Sequence, residues 1–348
     1  MKKTFVSPQK YTQSPGEILN LGRHIAEMGH KAFLVSTYED ILRSRVSVDQ
    51  SLLGTGVHMV YATFRDACTK LNFQAMADQA MGHGANVIVG LGGGKSLDAA
   101  KGVAFYAKLP VIIVPTIAST DGPCSAKVAL YTDTGTFEGY MALRNNPNLV
   151  LVDSTIIAQA PARFLVAGMG DALATYFEAM AFHRTHPGEC TLLALGIAQR
   201  CYDTLQHNSL EALAAVNAQE VTPALENIIE ANLLLSCLGF ENTGLSLAHA
   251  FNNALGNWPL SKAVLHGETV ALGVIIQLAA TQADELPEVL RYCEMVGLPT
   301  KLADIGLSPC DDATLRALAA TLSADPQVAS TLPGTSAADI YGALAGCR

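Results

Sequence analysis

The chain has little charge. Lys, Arg, Asp and Glu make up only 15% of its 348 residues, and Lys and Arg form no basic run. The net charge of −9 argues against nucleic acid or an anionic membrane as a partner. No apolar stretch reaches the ~18 residues that would suggest a membrane span. The opening MKKTFVSPQKY carries lysines but no apolar segment behind them, so a signal peptide is not expected. The eight cysteines (Cys68, Cys124, Cys190, Cys201, Cys237, Cys293, Cys310 and Cys347) contain no C-x-x-C pair. They read as reduced, small apolar residues of a cytoplasmic protein. Internal repeats and low-complexity linkers are also missing. Half of the residues are hydrophobic, which favours a large buried interior and buried subunit interfaces.

Up to about Asp153 short apolar runs alternate with helical patterns. Ala32–Val35, Val87–Leu91, Val111–Val114 and Leu149–Val152 read as buried strands, with helices over Ile18–Met28, Phe73–Met81 and Leu97–Ala107. That alternation predicts a parallel sheet with helices on its faces, and ligands at the carboxyl ends of its strands. After about Ile156 the pattern turns helical: Phe164–Phe182, Thr191–Leu205, Pro223–Cys237, Leu245–Leu255, Glu268–Ala283 and Glu288–Met295. With a length too great for one typical core, this predicts an α/β domain over 1–156 and an all-α domain over 157–348. A cleft between them is the expected place for chemistry.

The segment NVIVGLGGGKSLDAAK carries the most information. A strand runs into Gly92, Gly93 and Gly94, and Lys95 and Ser96 open a helix with Asp98 in its first turn. Glycine lets a ligand approach the backbone, and the unpartnered N–H groups at a helix start favour an anion. The spacing excludes two common motifs. A Walker A loop would need glycine where Val89 stands, and G-x-G-x-x-G would need glycine where Lys95 stands. A turn that uses its glycines only for shape is the bland reading. Three in a row before Lys-Ser favour a phosphate site.

Asp171 lies in GMGDALATYFEA, His249 in GLSLAHAFNNAL and His266 in LHGETVALG. A carboxylate and two imidazoles can hold a divalent metal and leave a position open for substrate. They are far apart in sequence, and each taken alone reads better as a first-turn acid or a hydrogen-bonded helix histidine. His183 and His186 with Cys190 nearby read as a solvated loop.

Together these stretches resemble the glycerol dehydrogenase branch of the iron-containing alcohol dehydrogenase superfamily, whose fold is related to dehydroquinate synthase. The carriers are GGGKSLDAAK (92–101), PTIASTDGPCS (115–125), NNPNLVLVD (145–153), APARFLVAGMGDALATYFEA (160–179), VTPALENIIEAN (221–232), GLSLAHAFNNAL (244–255) and HGE (266–268). The resemblance implies a Rossmann-like N-terminal domain binding a nicotinamide cofactor and a helical C-terminal domain binding a metal. By position Asp171, His249 and His266 match the three ligands. Where a fourth histidine would stand the chain has Thr175, which points to the three-ligand type that usually holds zinc, with iron as the alternative. Gly93, Gly94, Lys95, Ser96, Leu97 and Asp98 match the pyrophosphate-binding turn. Thr116, Ser119, Ser125, Lys127 and Tyr131 match further cofactor contacts, and Asp121 matches a substrate-contacting carboxylate.

Two positions depart from the pattern. Thr37, in LVSTYED with Glu39 and Asp40 close by, stands where the family usually places the aspartate that receives the adenosine ribose hydroxyls. A threonine would not repel the extra phosphate of NADP, so NAD is expected with NADP admitted. Lys127 replaces a usual leucine. The implied activity is hydride transfer between a small polyol (glycerol or a 1,2-diol) and NAD(P), in a homo-oligomer. A polyol-phosphate dehydrogenase of the glycerol-1-phosphate type is the nearest alternative, but no extra basic cluster for a substrate phosphate is evident. A cyclase of the dehydroquinate synthase type would want more Lys and Arg in the second half. A non-catalytic nucleotide-binding relative would have no need of an open metal site.

Overall fold

The computed structural model describes residues 3–256, 258, 263–307 and 310–348. Its first half comprises β1 (Tyr11–Ser14), α1 (Leu21–Ala26), β2 (Lys31–Ser36), α2 (Tyr38–Ser51), β3 (His58–Thr63), α3 (Lys70–Gly82), β4 (Val87–Gly92), α4 (Gly94–Ala107), β5 (Val111–Pro115), β6 (Lys127–Tyr131), β7 (Phe137–Ala142), β8 (Leu149–Asp153) and α5 (Ser154–Ala158). Six strands form one parallel sheet in the order β1-β8-β5-β4-β2-β3, and β6 with β7 forms a separate antiparallel pair.

The central strands are apolar throughout because both sheet faces are covered. Their alternation divides the side chains cleanly. Phe33, Val35, Ile88, Ile113, Val150 and Val152 belong to one core cluster. Ala32, Leu34, Val87, Val89, Ile112 and Leu149 belong to the other, under α1 and α2. The first cluster continues without a break into the helical half. From β2 the chain turns outward to the edge strand β3, and from β4 it turns the opposite way to β5. The switch point therefore falls between β2 and β4, where parallel sheets receive ligands.

The second half comprises α6 (Ala162–Thr185), α7 (Leu192–Ala218), α8 (Pro223–Glu230), α9 (Ser236–Glu241), α10 (Leu247–Leu255), α11 (His266–Ala280), α12 (Leu286–Val296), α13 (Asp312–Ala324), α14 (Pro326–Thr331) and α15 (Ala337–Gly346). The helix predicted over Pro223–Cys237 starts as expected, with Thr222 capping the Leu225 N–H and Pro223 at the first position. It is then interrupted by a π-helical turn, Ala231–Leu235. Asn232 in that turn donates to the carbonyls of Ala118 and Leu165, both at 3.0 Å, tying the loop after β5 to α6. π turns of this kind often re-aim side chains at functional sites.

Helices α6, α10 and α11 cross closely because two residues of α11 lack a Cβ. A Cβ on Gly267 would strike the Ala167 carbonyl of α6, and one on Gly273 would lie 2.6 Å from the Ala248 carbonyl of α10. This close approach brings the three metal-type side chains together.

Candidate active site

Asp171 is fully buried in α6. Its two carboxylate oxygens have separate duties. Oδ2 accepts from the Thr120 hydroxyl at 2.9 Å and from the Asp121 N–H at 3.1 Å. Oδ1 is buried without a hydrogen-bond partner. It faces His266 Nε2 at 3.2 Å and His249 Nε2 at 3.5 Å. Donor atoms of the three residues lie within 4.8 Å of one another. A buried carboxylate oxygen left unpaired would be costly without a cation. The donor chemistry, one carboxylate oxygen and two imidazole nitrogens, suits a divalent metal with an open coordination position.

His249 is fixed from behind. Its Nδ1 lies 2.6 Å from Oε2 of the buried Glu178, whose Oε1 accepts from the N–H groups of Ser246 and His249. A proton on Nδ1 directed at Glu178 leaves the Nε2 lone pair for a metal, as in carboxylate–histidine–metal pairs. Burial pulls the His249 pKa down, but Glu178 and Asp171 outweigh it and hold it well above the ordinary value. Burial likewise pushes Asp171 up, but the two histidines prevail and keep it below the usual carboxylate range. Thr175 takes no place among the donors; its hydroxyl pairs with Ser236 at 2.9 Å.

Asp121 sits beside this cluster at the base of the loop after β5 and is 5% exposed. Ser236 donates to its Oδ2 at 2.7 Å. Burial first, and then the Asp171 charge, push its pKa well above the usual carboxylate value.

One cleft of about 730 Å³ joins this cluster to the glycine turn. Gly94, Lys95, Leu97, Asp98, Ser119, Asp121, Ser125, Lys127, Tyr131, His249 and His266 all line it. Asp171 lies behind its wall. Gly93 is the N-cap of α4, and the buried Ser96 stands in the first turn. The Thr116 N–H donates to the Gly92 carbonyl at 3.0 Å. Thr37 caps α2 at the end of β2, away from the cleft lining.

Two matched side chains are already engaged by the protein. Asp98 accepts from the Ala129 N–H at 3.0 Å and from Lys101 at 2.9 Å. The Ser125 hydroxyl donates to the Gly122 carbonyl at 3.0 Å. Glu178, Ser236, Thr120 and Lys101 are not singled out by the sequence. The available signal is spacing: Glu178 lies seven residues after Asp171, two turns along the same helix face.

A doubly wound sheet with a phosphate-type turn, open toward a carboxylate–imidazole donor set, defines the class as a dinucleotide-type fold with a candidate metal site. Known proteins narrow this. The profile of the iron-containing alcohol dehydrogenases matches residues 8–154. The chain is 42% identical over 352 residues to the glycerol dehydrogenase of Pseudomonas putida, covering 99% of this chain and 96% of that protein. It is 41% identical to the glycerol dehydrogenase of Thermotoga maritima, covering 99% of each. The crystal structure of a probable glycerol dehydrogenase from Sinorhizobium meliloti 1021 superposes with a TM-score of 0.91 at 36% identity, covering 100% of this chain and 98% of that one. The chain belongs to the iron-containing alcohol dehydrogenase family.

Proposed function

We propose that this chain is a metal-assisted, NAD(P)-dependent dehydrogenase of small polyols, interconverting glycerol or a 1,2-diol with the corresponding hydroxyketone. The observation that carries this reading is the cleft lined both by the glycine turn and by His249 and His266, with Asp171 just behind its wall. The dinucleotide is assigned to the sheet half (1–156) and the metal to the helical half (157–348). Gly93–Asp98 would receive the pyrophosphate on backbone N–H groups, and Ser119, Lys127 and Tyr131 would border the nicotinamide half. A divalent metal held by Asp171, His249 and His266 would supply Lewis acidity to a substrate hydroxyl; zinc is proposed over iron.

The chain's own residues set the substrate. Asp121, oriented by Ser236, offers a hydrogen bond to a second hydroxyl beside the metal site. Phe164, Leu245, Val264 and Leu265 give the cleft an apolar flank, which helps to exclude water. Among the described residues lining the cleft, the lysines are Lys95 and Lys127. Both are assigned to the cofactor, so an uncharged polyol suits the remaining space better than a polyol phosphate. A homo-oligomer is the proposed assembly.

The test is the initial rate of nicotinamide reduction with glycerol, 1,2-propanediol and glycerol 1-phosphate, each with NAD and with NADP. The expected result is turnover of the two uncharged polyols and not of the phosphate. Preference for glycerol 1-phosphate, or no turnover with any pair, would refute the reading.

A further inference from the structure

The threonine at position 37 does not leave the ribose end of the proposed nucleotide site without a carboxylate. Asp40, one helical turn further on, swings back over the glycine turn. A Cβ built on Gly92 would lie 2.8 Å from Asp40 Oδ2. The carboxylate thus hangs directly above the last residue of β4, at the switch point between β2 and β4. Gly92 has φ +131°, so the close approach and the backbone conformation both call for glycine there.

Thr37 holds the carboxylate in this position. Its hydroxyl donates to Asp40 Oδ2 at 3.0 Å and accepts from the Asp40 N–H at 3.2 Å. Arg43 Nη1 lies 3.5 Å from the other oxygen, Oδ1. The Asp40 side chain is 15% exposed and that of Arg43 is 77% exposed. An acidic side chain at the strand end beside a phosphate-binding turn accepts the ribose 2′-hydroxyl of NAD, whereas a nearby arginine accommodates the 2′-phosphate of NADP.

We propose that Asp40 is the specificity-determining carboxylate of this chain, selecting NAD over NADP, with Thr37 as its positioning residue and Arg43 as a latent site for a 2′-phosphate. This rests on the dehydrogenase reading above. It narrows the expectation drawn from Thr37 alone, which admitted NADP, because the negative charge is supplied from α2 rather than from the end of β2. Like charges brought together are strongly disfavoured, so the effect on a phosphorylated ribose should be large.

The test is equilibrium binding of NADH and NADPH to the chelated, metal-free protein by calorimetry, which needs no turnover. Wild type is expected to bind NADH at least about tenfold more tightly than NADPH. Asp40→Asn should close that gap by about tenfold or more, and adding Arg43→Ala to it should weaken NADPH again. Asp40→Ser, run in parallel, carries the same expectation should the asparagine variant fail to fold. Equal binding of the two nucleotides by wild type, or an unchanged ratio in the Asp40 variants, would overturn the assignment. If wild type bound neither nucleotide, the dehydrogenase reading itself would fall, and Asp40's role with it.

Discussion

Asp171 divides its work between its two oxygens. One is saturated by Thr120 and the Asp121 N–H, and the other is left for the histidines and a cation. Asp171→Asn should therefore lose both metal and turnover; full retention of either would remove it from the donor set. Glu178 acts one step further out. Glu178→Gln keeps the shape but weakens the orientation of His249, and should lower zinc affinity about 10–100-fold. Competition with a chromophoric chelator would measure this, and an unchanged affinity would count against the tautomer argument. Ser236→Ala should raise the apparent KM for glycerol more than it lowers kcat, since it frees Asp121 without removing it. The resemblance marks Asp171, His249 and His266 in the sequence, and the fold brings the three together. Glu178 is not, because a glutamate inside a helix reads as a solvated residue until burial and the His249 contact are known. Asp40 is visible in the sequence close to Thr37, but only the fold brings α2 over the end of β4 and places its carboxylate above Gly92.

Among the elements, the buried strands are legible as continuous apolar runs, and β2, β4, β5 and β8 lie where those runs predict them. The edge strands β1 and β3 are not. YTQS and HMVYAT carry polar side chains because a sheet edge is only half covered. The hairpin of β6 and β7 is also missed, and it forms part of the cleft wall. It is joined to α4 by Lys101, which is 1% exposed and reaches Asp98 at 2.9 Å and the carbonyls of Gly122 and Lys127 at 2.9 and 2.5 Å. Lys101→Met leaves these acceptors without their cation and should cost about 3 kcal/mol in urea denaturation. A loss near zero would mean that the hairpin is held by its apolar contacts alone.

A second element-scale prediction concerns pH. Glu17, at the corner between β1 and α1, is pushed up by burial. Hydrogen bonds from His24, Asn20 and Ser14 outweigh this and hold it below the usual carboxylate value. A lowered folded-state pKa adds stability above the unfolded value of about 4.3, and the gain fades as pH falls through the folded value. Wild type should exceed Glu17→Gln by about 1 kcal/mol at pH 7, with the gap narrowing below about pH 4. A gap independent of pH would show that the charge is not what matters.

At the scale of the whole molecule, the change from alternating to helical patterning near residue 156 is where the sheet ends and the helical bundle begins. That change of secondary structure is legible because parallel strands and amphipathic helices have different periods. The junction is not. One core cluster runs through both halves, and the cleft draws its walls from each. Among the described residues, no helix is long and apolar enough to cross a membrane. For the homo-oligomer proposed above, sedimentation should report more than one chain per particle, and a single-chain mass would contradict it. The shared cleft is tested most directly by titrating zinc into chelated protein while following glycerol-dependent NADH formation. The rate should start near zero and rise to a plateau at one zinc per chain, and Asp171→Asn should stay flat. Full activity in the chelated protein, or restoration of the variant, would contradict a metal-assisted site at Asp171, His249 and His266.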